Sequence, residues 1–91
     1  MNEKYLPLGT VVLLKEAKKR IMVTGFYIKP QDGSEKTYDY SGCLFPEGIL
    51  KSDENLVFNH EQIDKIYHMG LVDEEEKKFK ETLKEAISKE K

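Results

Sequence analysis

The 91-residue chain sets 15 lysines and arginines against 17 aspartates and glutamates, for a formal net charge of -2. That length makes one domain able to bury about 60–65% of its extended surface, and the charge balance lacks the positive excess on which nucleic-acid and anionic-membrane binding rest. Its single cysteine excludes an internal disulfide and fits a reducing compartment, and no signal-like or membrane-length apolar run is present, so the expected location is the cytoplasm.

In chain order, "LPLG" reads as a turn in which Pro7 fixes one backbone angle and Gly9 permits a bend. "TVVLLK", Thr10 to Lys15, is β-branched and apolar and reads as a strand covered on both faces. "EAKK" turns the chain, although a helix across "LLKEAKKRIM" is a rival reading. "RIMVTGFYIK", Arg20 to Lys29, is a second strand, with Gly25 marking a bulge or bend. Pro30 ends it and Asp32-Gly33 turns the chain. "TYDYSGCLF" is the third strand, with Tyr38 and Tyr40 on one face, Asp39 on the other, and Gly42 open to close approach.

After a less patterned loop, Leu56 to Phe58 forms a short strand. Asn59 and Gln62 have the spacing of a capping box, which predicts one helical turn over His60–Asp64 and a final strand over Lys65–Met69. A continuous helix to His68 is the alternative. The last element is an amphipathic helix over 73–89, with Asp73 as cap, Glu76 completing its box and lysines toward its end. Phe79, Leu83 and Ile87 form a narrow apolar stripe, and Glu76–Lys80 is a favourable i,i+4 pair. The expected fold is α+β within a single domain over 1–91. Residues 5–70 form a strongly bent five-stranded antiparallel sheet or an SH3-like barrel, followed by the C-terminal helix.

No motif here carries catalysis. A nucleophilic thiol needs a base within reach and a lowered pKa. The only histidines, His60 and His68, show no local pattern with Cys43, and "SGCLF" is neither a nucleophile elbow nor a paired-cysteine motif. The irregular spacing of Cys43, His60 and His68 matches no metal-ligand motif. The carboxylates, Asp39 and Glu47 among them, read as ordinary solvated groups, with a cross-strand lysine as an alternative partner for Asp39. The basic "KEAKKR" tip, Lys15 to Arg20, is interrupted by Glu16 and reads as a solvated hairpin end. Neither catalytic residues nor a cofactor or metal site are assigned, and the chain is expected not to be an enzyme. The function that fits is protein binding, with Tyr27, Tyr38, Phe45 and Tyr67 as aromatic anchor candidates and Phe79, Leu83 and Ile87 as a docking stripe. A free strand edge is a further means of contact.

"LPLGTVVLLK", "DYSGCLFPEG" and "FNHEQI" together resemble a family of small, functionally uncharacterised proteins of Gram-positive bacteria, along Tyr5 to about Phe79. Its members are often encoded beside type VII secretion systems and their LXG-type toxins. The resemblance implies an accessory, adaptor or chaperone role toward an exported toxin, or contact with associated small helical proteins. An immunity protein that neutralises the toxin is the alternative, ahead of a nucleic-acid module or a thiol enzyme using Cys43 with His60. The resemblance carries over no catalytic residue.

Overall fold

In the computed structural model, which describes residues 5–29, 36–51 and 55–90, the apolar runs become β1 (Val11–Leu14), β2 (Ile21–Ile28), β3 (Tyr38–Leu44), β4 (Leu56–Phe58) and β5 (Ile63–His68), followed by α1 (Glu74–Glu90). Pro30, the Asp32-Gly33 turn and the Asp53-Glu54 pair lie outside the described residues. The strands form one sheet in the order β4-β3-β2-β1-β5. Every adjacent pair is antiparallel. β5 passes to the far side of β1, so β4 and β5 are opposite ends of an open sheet. The bent-sheet expectation is met, and the barrel alternative is not the one adopted.

Register places the core. Val23 pairs with Gly42, but Gly25 pairs with Ser41, so β2 spends one extra residue at Thr24–Gly25, the bulge the sequence predicts. The bulge resets the alternation: Ile21 and Val23 are buried before it, and Phe26, not Gly25, packs on the core after it. That core is Val12, Ile21, Val23, Tyr40 and Phe58, with Tyr5, Leu6, Leu14 and Ile63 against it. Gly42 is the residue that lets Phe58 in, since a Cβ there would lie 2.6 Å from Ile21 Cγ2 and 3.0 Å from the Phe58 ring. Tyr40 then stacks on Phe58 at 5.1 Å between centroids and meets Tyr5 edge-on at 5.8 Å.

The helical turn is a 3-10 turn over His60–Gln62, shorter than expected, and β5 starts at Ile63. The reason is cross-strand. Gln62 Oε1 accepts the Asn59 N–H at 2.8 Å as the box requires, while Lys15 on the other side donates its N–H to the Gln62 carbonyl at 2.8 Å and draws the chain into the sheet. In α1, Asp73 Oδ1 accepts the Glu76 N–H at 2.9 Å, as expected of the cap. The expected stripe divides, with Leu83 and Ile87 half-buried and Phe79 outward. The side chains turned toward the body are Glu76, Lys80, Leu83 and Ile87, and Phe79 is half exposed. Lys80 takes the most buried seat because three partners meet its ammonium: Glu76 at 2.7 Å, the Tyr5 carbonyl at 2.5 Å and the Phe26 ring at 5.0 Å.

Neither edge of the sheet invites another strand. β4 has three residues. β5 has six, but its pairing with β1 slips twice, Val11 to His68 then Val12 to Ile66, and Leu13 to Lys65 then Leu14 to Ile63. Those bulges leave Tyr67 and Asp64 as extra residues, and Asp64 and Lys65 add exposed charge. Short length, bulges and charge are the devices that block edge-to-edge pairing. Strand addition, one of the expected contact modes, is therefore disfavoured at both ends.

Candidate protein-binding surface

A fully buried threonine organises the most apolar concavity. Thr10 Oγ1 donates to the Pro7 carbonyl at 2.7 Å and accepts the Gly70 N–H at 3.0 Å. This ties the first turn of the chain to the exit of β5, and it sets Leu8 beside Leu71. Asp73 then starts α1, whose Phe79 ring lies 6.0 Å from Phe26. The result is an open groove of about 390 Å³. Leu8, Leu71 and Phe79 are its exposed apolar walls, Phe26 is its half-buried base, and Asp73, Glu75 and Glu76 form its rim. Leu71 is 75% exposed, among the most exposed large apolar residues described. Among the described residues three carboxylates and no basic side chain line the concavity.

The sequence-derived candidates divide between places. Phe79 is in the groove, and Leu83 and Ile87 continue from it along α1, half-buried. Phe45 and Tyr67 meet elsewhere, bracketing the Arg20 guanidinium at 5.0 and 5.7 Å from their ring centroids. That pairing follows from the β2–β3 register, in which Phe45 donates its N–H to the Arg20 carbonyl at 3.0 Å. Tyr27 is apart from both, with Lys29 Nζ 5.7 Å from its ring and a φ of 54°, a strained value for an aromatic residue. Tyr38 is half-buried on β3 opposite Ile28. Leu8 and Leu71 were not among the candidates. Their signal was only Gly9 and Gly70 marking turns, and a contact across 60 residues has no local pattern.

A second, polar cluster is structural in its bonding. Asp39 Oδ2 accepts the His60 N–H at 2.8 Å, and Asn59 Oδ1 accepts the Asp39 N–H at 3.1 Å. Asp39 thus satisfies a donor at the start of the 3-10 turn. Beneath it the Tyr40 hydroxyl accepts the Leu6 N–H at 3.0 Å and shares a hydrogen bond of 2.7 Å with His60 Nδ1. Burial pushes the Tyr40 phenol up to about 12, with the Asp39 and Tyr5 charges adding to the rise and the Leu6 hydrogen bond opposing it.

The sign of the linkage follows. Between the ordinary phenol value of 10.0 and about 12 the unfolded chain ionises while the folded one does not. Stability from Tyr40 is therefore complete below pH 10 and falls by about 2–3 kcal/mol as pH rises toward 12. Urea melts across that range are expected to show this slope for the parent chain and to lack it for Tyr40→Phe. Parallel slopes would contradict the assignment.

Cys43 is buried in β3 opposite Met22, while His68 is on β5, with β1 and β2 between them in the sheet. Cys43, His60 and His68 are thus not brought together, and among the described residues no cluster of three His, Cys, Asp or Glu could hold a metal ion. At the basic tip Lys19 pairs with Glu47 at 2.7 Å, and that ammonium holds the Glu47 carboxyl below its usual range. Among the described residues no helix is long and apolar enough to cross a membrane.

An open five-stranded sheet and one capped helix define a small α+β domain that carries an acid-rimmed apolar groove. The chain belongs to the DUF4176 family, a domain of unknown function, which it matches over residues 5–79. The matched span includes the whole sheet, the groove and Phe79, and stops before Leu83. No curated protein and no solved structure matches the chain.

Proposed function

We propose that this domain is a non-catalytic protein-binding accessory. It acts as an adaptor or chaperone in the cytoplasm of the producing cell, and it holds an apolar segment of an LXG-type toxin before type VII export. The observation that supports this reading is the groove between Leu8, Leu71 and Phe79, whose walls stay exposed while the core a few ångströms away is fully closed. Two blunted sheet edges favour a partner that inserts side chains over one that adds a strand. The toxin as cargo comes from the family resemblance.

The test is co-expression with the toxin encoded beside the chain, followed by native pull-down. Phe79→Asp places a charge in the groove without touching the core cluster and is expected to weaken the complex about tenfold or more. Toxin truncations separate the two roles, because an adaptor binds the region recognised for export and an immunity protein binds the toxic domain. Failure to recover a complex with any neighbouring-gene product rejects the proposal.

A further inference from the structure

We infer that the groove selects segments whose apolar side chain is flanked by lysine or arginine; this rests on the groove being the protein-binding site. The lining is asymmetric in charge. Asp73, Glu75 and Glu76 stand on its rim, and among the described residues no basic one lines it. One of the three is answered from within: the Glu76 carboxylate meets Lys80 at 2.7 Å. Asp73 spends one oxygen on the Glu76 amide at 2.9 Å. Glu75 is exposed, one turn before Phe79 on the same side of α1, so its carboxylate stands over the wall that an entering side chain must touch.

A cationic group beside the inserted apolar residue gains from that field, and an acidic one is repelled. The sign also selects between classes of partner. Anionic lipid and nucleic acid meet the same carboxylates unfavourably, whereas a basic amphipathic protein segment meets an apolar base and an acidic rim. The occupant is therefore a protein segment with alternating apolar and Lys/Arg character.

The experiment measures the affinity of the full-length chain for the co-expressed toxin at low and high salt, with three variants checked for folding by circular dichroism. Glu75→Lys is expected to weaken binding about fivefold at low salt, with the deficit closing near 0.5 M salt. Glu81→Lys makes the same charge change on α1 away from the groove and is expected to leave binding unchanged. If Glu75→Lys and Glu81→Lys behave alike while Phe79→Asp still breaks the complex, charge selection is overturned and the groove reading stands. If Phe79→Asp is also without effect, both fall. Binding of the parent chain to vesicles of anionic phospholipid, sensitive to Phe79→Asp, would likewise overturn the inference.

Discussion

Tyr40→Ala is expected to lower the unfolding free energy by about 4–5 kcal/mol. The residue is fully buried and makes ring contacts with Tyr5, Phe26, Phe58 and His60. Truncation leaves a cavity at the point where the N-terminal segment, three strands and the 3-10 turn meet. It also removes the oxygen that accepts the Leu6 N–H. A domain of this length is stable by about 5–14 kcal/mol, so the variant is expected to be largely unfolded or marginal at 37 °C. Urea titration followed by circular dichroism reads the effect directly. A Tyr40→Ala protein within about 1 kcal/mol of the parent would mean that the ring is not the keystone the contacts describe.

Gly70→Ala is expected to cost about 3 kcal/mol, a large effect for one methyl group. An added Cβ would lie 1.9 Å from the Leu8 carbonyl oxygen and 2.8 Å from its carbon. Both are main-chain atoms, so no rotamer change relieves the clash and the two segments must separate. Separation breaks the Gly70 N–H bond to Thr10 Oγ1 and moves Leu8 away from Leu71. The same variant therefore also tests how the groove is built: it is expected to lose partner binding even at temperatures where the sheet remains folded. Thermal melts together with pull-down at 10 °C separate the two effects. Normal stability would refute the close approach, and normal binding with reduced stability would show that the groove tolerates the displacement.

Local chemistry made part of this legible from the residues. The β-branched runs, the bulge at Gly25, the cap at Asp73 and the burial of Cys43 each depend on neighbours a few positions away, and each is found where expected. Strand order was not legible, because β5 joins β1 through pairs separated by about fifty residues, and a barrel and an open sheet share the same strand pattern. The inward face of the helix was legible only in part. The Glu76–Lys80 pair is found as its spacing implies, but apolar spacing gave no sign that Lys80 would be buried: its stem packs inward while its head finds an acid, a carbonyl and a ring. The Asp39 bond to the His60 N–H was not legible, because that backbone donor sits on a turn that β4 carries into range. Of the groove, only Phe79 stood out in advance, because Leu8 and Leu71 gain meaning when two turns touch.

The irregular rim of β5 has a consequence for storage. A molecule that displays oily side chains risks stacking on its own kind into fibrils. Here the stickiness resides in a pit between a turn and a helix, and the ladder ends are too short or too crooked to template growth. The chain is therefore expected to stay unpolymerised at high concentration, and smoothing those two kinks would be the quickest way to make it polymerise.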